Sequence, residues 1–216
     1  MAVDLTTGID KLKEKLLTMA SYAEASVNHA LKALMKRDDD LARQTREDDE
    51  IIDQLEMEID AVAGELLAAK PDVFGIRLII IAMKIAHDLE RVGDEATTIS
   101  RRCLELSCEP VLPQVREIPI IGRLALQMLK EALDAFVNQE PAKARLVIQA
   151  DDEVDGMNKK LRGDLERTMV TATNSIPRCL NLMVISKSLE RVADHASNIA
   201  EMVVYLYEGR DIRHSS

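Results

Sequence analysis

The sequence predicts an all-α protein made of two tandem three-helix bundles, on three observations: an aliphatic composition poor in aromatics, long helical periodicity cut by proline-bearing turns, and a motif that returns in the second half of the chain. Hydrophobic residues make up 47% of the 216 residues and charged residues 31%, so the chain can bury a core and is neither disordered nor membrane-embedded. Aromatic residues are only 2%, with no Trp. A core of Leu, Ile, Val, Ala and Met suits helix-on-helix packing better than sheets, which favour β-branched and aromatic residues.

Helical periodicity runs through 9–36, 40–69, 73–107, 117–137, 141–171 and 176–208. The first segment stops at the polar run Lys36 to Asp40, and the second at Lys70-Pro71-Asp72. The third carries the apolar stripe Leu78, Ile81, Ile85, Leu89, Val92, Ala96 and Ile99 and gives way to a link, Ser107 to Pro119, with three prolines. The fourth ends at Asn138 to Pro141 and the fifth at Thr171 to Pro177. The sixth repeats the stripe as Leu182, Ile185, Leu189, Val192, Ala196, Ile199 and Val203. No stretch alternates long enough to be a strand. Helices of about 30 residues reach roughly 45 Å, and short turns make neighbours antiparallel.

The halves align. Leu89-Glu90-Arg91-Val92 returns as Leu189-Glu190-Arg191-Val192, and Asp94 as Asp194. Ala30-Leu31, Ala42-Arg43 and Ile52-Asp53 match Ala132-Leu133, Ala144-Arg145 and Val154-Asp155, with two residues missing from the turn before the last helix. The division is 1–109 for the first repeat and 110–216 for the second.

A net charge of −10 argues against nucleic-acid binding, whose affinity comes largely from Lys and Arg on phosphates. Met1 to Asp10 shows no signal-peptide pattern, and the longest apolar run, Leu78 to Met83, is too short to span a bilayer. The tail from Arg210 to Ser216 is short and polar and is expected to fray. Cys103, Cys108 and Cys179 lack metal-ligand spacing and read as small core hydrophobes in a reducing cytosol.

Four acidic pairs spaced four apart stand out: Asp49/Asp53, Glu90/Asp94, Asp151/Asp155 and Glu190/Asp194. Such a pair lies on one helical face, which is ordinarily a solvated one. Their placement adds weight. In an antiparallel hairpin turning at Pro71, Asp49 is level with Asp94 and Asp53 with Glu90. In one turning within Thr171 to Asn174, Asp151 is level with Asp194 and Asp155 with Glu190. Both quartets flank core stripes, the first that of Ile52, Leu55, Ile59 and Leu66, so each would line an exposed groove. Like charges at this spacing cost about 0.2–0.5 kcal/mol per pair. Water, salt and Arg91 or Arg191 can compensate, and so can a hard cation, for which all-oxygen sites suit Mg²⁺, Ca²⁺, Mn²⁺ or iron. His87, level with Glu56, and His195, next to Asp194, are either extra ligands or ordinary core-edge histidines.

The segments Asp88-Leu89-Glu90-Arg91-Val92-Gly93-Asp94 and Ser188-Leu189-Glu190-Arg191-Val192-Ala193-Asp194-His195, with Asp49-Glu50-Ile51-Ile52-Asp53-Gln54-Leu55-Glu56 and Gly75-Ile76-Arg77-Leu78 upstream, resemble the paired motifs of the PhoU family over nearly the whole chain. The resemblance implies a cytoplasmic, non-enzymatic, homodimeric all-α regulator that restrains phosphate uptake and the phosphate-starvation response. Its implied partners are a phosphate ABC transporter ATPase and a sensor histidine kinase, with the membrane reached only through them. It also implies metal ions (iron, zinc, manganese or magnesium) on Asp49, Asp53, Glu90, Asp94, Asp151, Asp155, Glu190 and Asp194. The second copy departs from the first at Asn158, which stands where the first has Glu56. Three other readings stay open: a two-metal enzyme, although no Glu-x-x-His, nucleophile set or Gly-rich phosphate loop is present; an accessory protein of a low-affinity phosphate transporter; and a plain helical scaffold.

Overall fold

A computed structural model describes residues 5–212 and contains six long helices, with no strand among them. They are α1 (Leu5–Lys36), α2 (Asp39–Ala68), α3 (Val73–Leu106), α4 (Ile118–Asn138), α5 (Pro141–Thr171) and α6 (Ile176–Glu208). Each expected segment is a helix. The first begins a turn earlier than expected because Leu5 extends the apolar row of Ile9, Leu12 and Leu16 and packs partly against the core. The proline-rich link holds one short 3-10 turn, Pro113–Glu117, and a second, Thr173–Ser175, precedes α6.

Local chemistry sets the boundaries. The Asp38 side chain accepts from the Leu41 backbone N–H at 3.0 Å and Asp72 from that of Gly75 at 2.7 Å, capping α2 and α3. Prolines near the first position open α4, α5 and α6, where a missing N–H costs nothing. After α1 the chain turns at Arg37 in the left-handed region, φ 57°, which costs a non-glycine residue about 1–2 kcal/mol. Its guanidinium offsets that cost by donating to the Leu106 carbonyl at 3.1 Å and to those of Ser107 and Glu109, tying the end of α1 to the end of α3.

Each repeat is a bundle, α1–α3 and α4–α6, and every residue of the α3 and α6 stripes is buried. One continuous core runs through both. The repeats meet where α3 packs antiparallel on α6: Glu95 pairs with Arg191, Asp88 with His195, and the Phe74 and Tyr207 rings lie 6.2 Å apart. A second contact brings α4 close to α1 at Gly122, where a Cβ would stand 2.5 Å from a Leu31 methyl.

Cys103 and Cys179 are buried as expected, but Cys108 is exposed, because α3 has ended before it and the link runs over the surface. α6 ends at Glu208, and the outer part of the tail expected to fray, 213–216, lies outside the described residues, as does 1–4 of the N-terminal segment. No helix among the described residues is long and apolar enough to cross a membrane.

Candidate functional site

The two antiparallel hairpins, α2–α3 and α5–α6, carry the two predicted quartets, one on each. On α2, Ile52 and Ile59 anchor the helix in the core, which leaves Asp49 half-buried and Asp53 exposed. On α3, Leu89 and Val92 do the same, leaving Glu90 and Asp94 at the edge. Burial pushes the Asp49 carboxyl above its ordinary range, and the charges of Asp53 and Asp94 push it further. Glu90 is likewise raised, first by burial and then by Asp94, with Arg91 opposing. Carboxylates from both helices therefore feel one another across the first groove.

The second groove shows the effect more strongly. Asp151 is pushed up to about 6, mostly by burial and then by Asp194, Asp155, Asp152 and Glu190. Asp194 is raised by burial, with Lys187 opposing and Glu190 and Asp155 adding. Asp155, Glu190 and Asp194 thus all act on Asp151, and Glu190 and Asp155 act on Asp194 as well.

The residues that offset this charge differ between the grooves. In the first, Arg91 donates to Asp94 Oδ2 at 3.0 Å and brings Nε to 3.4 Å from Glu90 Oε2. In the second, Arg191 crosses instead to Glu95 on α3, at 3.1 Å. The Lys187 ammonium takes its place, 2.6 Å from Glu190 Oε1, a hydrogen bond that raises the pKa of the lysine. Asn158 donates to Glu190 Oε2 and accepts from Ser186. The sequence had named Arg191 as a compensating charge for its own quartet; the antiparallel contact of α3 on α6 draws it away.

The histidines separate too. His87 Nδ1 lies 3.3 Å from Glu56 Oε1 and 3.9 Å from Glu90 Oε2, at the rim of the first groove. His195 turns away from its quartet and lies 2.8 Å from Asp88 Oδ1, with Asn198 on the same oxygen at 3.5 Å. It therefore reads as a link between the repeats.

Three features escaped sequence reading. Gly93 lets Asp49 lie against α3, since a Cβ there would stand 2.9 Å from Asp49 Oδ1 and from an Ile52 methyl; Ala193 holds the matching place in the second repeat. Lys187 could have been found by aligning the repeats, where it falls opposite His87. The roles of Glu95 and Asp88 rest on contacts between repeats and leave no local signal.

The donor set suits a hard cation. All eight predicted donors are carboxylates, and each groove holds one buried carboxylate oxygen without a hydrogen-bond partner, Glu90 Oε2 and Asp151 Oδ1. The carboxylates stand apart rather than closed round an ion: among the described residues no group of three or more His, Cys, Asp or Glu is arranged to hold a metal.

Comparisons with known proteins agree with this architecture. The family model described as "PhoU domain" matches residues 16–103 and again 118–203. A curated relative from Pseudomonas aeruginosa, named as a phosphate-specific transport system accessory protein PhoU homolog, is 40% identical over 95% of this chain and 86% of its own length. The Escherichia coli K12 protein, phosphate-specific transport system accessory protein PhoU, is 29% identical over 95% of this chain and 86% of its own. Among solved structures, PhoU from Pseudomonas aeruginosa superposes with a TM-score of 0.92 at 38% identity, covering 96% of this chain and all of that one. The phosphate transport system regulatory protein PhoU from Streptococcus pneumoniae gives 0.90 at 29% identity, covering 96% of this chain and 99% of that one.

Proposed function

We propose, from the premise that this chain belongs to the PhoU family, that it is the accessory regulator of a phosphate transport system, restraining uptake and the phosphate-starvation response by linking an ABC transporter to a sensor histidine kinase. It is an accessory protein and not an enzyme. The observation that carries the regulatory reading is the presence of both acid quartets, one per repeat, in a chain aligned with such accessory proteins over 95% of its length. The protein works in the cytoplasm as a homodimer and meets the membrane through its partners. Long helical faces give the broad docking surface that binding to an ATPase and a kinase requires.

The grooves are the sites where metal ions would be held, by Asp49, Asp53, Glu90 and Asp94 in one and by Asp151, Asp155, Glu190 and Asp194 in the other. A cation held there would supply positive charge to offset that of the four carboxylates. The chain's own residues set how readily this happens. Burial already disfavours the ionised form of Asp49, Glu90, Asp151 and Asp194, and so loads the grooves for a positive ligand. The test is affinity purification from phosphate-rich and starved cells, with elemental analysis of the same protein purified without chelator. Recovery of the transporter ATPase and the kinase, with metal that is lost in the acid-pair variants, is expected. Absence of both partners in both conditions would overturn the adaptor reading. A zero metal content that persists after incubation with metals would reduce the eight carboxylates to docking charges.

A further inference from the structure

The link between the repeats borders an apolar cavity that none of the eight groove carboxylates lines. Its volume is about 240 Å³, and it lies where the ends of α1 and α3 meet the link and the start of α6, so both repeats contribute to its wall. Leu34, Leu106, Leu112, Val115 and Leu182 supply aliphatic surface, and no aromatic ring lines it. Cys103 belongs to the wall as a buried thiol, pushed up to about 12 by burial, so it stays neutral and adds apolar surface. An apolar cavity of about 150 Å³ accommodates benzene, so this one has room for an aliphatic chain of roughly eight carbons. Three guanidiniums stand round it, Arg37, Arg116 and Arg178, against one carboxylate, Glu109, in a chain whose net charge is −10. Two of them hold the link in place. Arg37 donates to the carbonyls of Leu106, Ser107 and Glu109, and Arg178 to that of Pro110 at 3.0 Å. Carbonyls occupy those donors but leave the positive charge uncancelled. Arg116 is exposed on the 3-10 turn and has neither a hydrogen bond nor an ion pair among the described residues.

We propose that this cavity binds a medium-chain aliphatic carboxylate, with its tail among the leucines and its head group on Arg116, while Arg37 and Arg178 add positive potential. Withdrawing the methylenes from water drives the tail in. A guanidinium offers the carboxylate a planar, charge-assisted contact of matching shape. A neutral chain of the same length loses that contact, and a cationic one meets the repulsion of three arginines. Because the wall is drawn from both repeats, an occupied cavity joins the start of α6 to the ends of α1 and α3 and stabilises the folded chain by mass action.

Isothermal titration calorimetry of the full chain with octanoate, and separately with octanol and octylammonium, tests this. Octanoate is expected to bind at one equivalent, octanol more weakly and octylammonium not at all. Arg116→Glu should weaken octanoate by about tenfold or more and leave octanol within about twofold of the wild type. The chain contains no Trp, so Val111→Trp, at a lining position that is 62% exposed, places a sole fluorophore at the cavity. Its emission should be quenched saturably by 8-bromooctanoate and restored by excess octanoate. Octanoate should also raise the midpoint of thermal unfolding of the wild type, and raise that of Arg116→Glu less, whereas an amphiphile that binds mainly the unfolded chain lowers it. Both substituted positions are exposed on the link, and far-ultraviolet circular dichroism checks that the helices of each variant are intact. No saturable octanoate binding, octanol bound as tightly as octanoate, an octanoate affinity indifferent to Arg116→Glu, or quenching that never saturates overturns the proposal.

Discussion

Replacing Asp151 by Asn should stabilise the metal-free protein at neutral pH, by an amount that follows from the second groove. The carboxyl is moved from 3.8 to about 6, first by burial and then by Asp194, Asp155, Asp152 and Glu190. At about 1.4 kcal/mol per pH unit that displacement would represent about 3 kcal/mol for a fully buried group. Asp151 is only half-buried, so solvent screening reduces the effect to about 1–2 kcal/mol. The sign follows from proton binding: between 3.8 and about 6 the folded state holds more protons than the unfolded, so stability falls as pH rises through that window. Asn removes the titration at nearly constant shape. Asp151→Asn and wild type should therefore unfold at similar urea concentrations near pH 4, and the variant should be more stable by about 1–2 kcal/mol at pH 7. The assay is urea unfolding followed by circular dichroism in chelator at both pH values. A difference that does not grow with pH, or a variant less stable at pH 7, would refute the reasoning that burial and crowding of charge, rather than hydrogen bonding, govern this groove.

Other substitutions probe the frame around the grooves. Leu89→Ala empties a fully buried position in α3 between the acid pair and the core, and should cost about 2–5 kcal/mol by thermal or urea unfolding. Gly93→Ala puts a methyl 2.9 Å from Asp49 Oδ1 and from an Ile52 methyl, so a loss of about 1–3 kcal/mol is expected, with no matching loss for Ala193→Gly beyond the ordinary cost of glycine in a helix. Asp88→Ala removes the partner of His195 between repeats and should lower stability by about 1 kcal/mol while leaving helix content unchanged. Arg37→Ala frees the carbonyls at the end of α3 and should speed proteolysis within the Ser107 to Pro119 link, as limited digestion would show.

The helices and their pairing were legible because the stripes of α3 and α6 are local patterns, and a turn fixes which residues of a hairpin are level. The same reasoning placed Asp49 opposite Asp94 and His87 opposite Glu56 before any coordinates, and the mutual charge effects and the 3.3 Å contact agree. What stayed hidden depends on how the repeats meet. Arg191 looks equivalent to Arg91 in sequence, yet it reaches Glu95 because α3 and α6 pack antiparallel, and no periodicity encodes that. His195 is adjacent to Asp194 but lies about one helical step round from it, and so faces Asp88 on the other repeat. Cys108 looked like a core residue by type, but exposure follows where the helix stops.

The most direct test of the central claim is the output of a phosphate-starvation reporter, in phosphate-rich medium, in the native host lacking this gene. The account predicts a high reporter signal without the protein, restored to the repressed level by the wild-type chain. A reporter that stays repressed in the absence of the protein, or that the wild-type chain fails to silence, would contradict the assignment of this chain as a negative regulator of phosphate uptake.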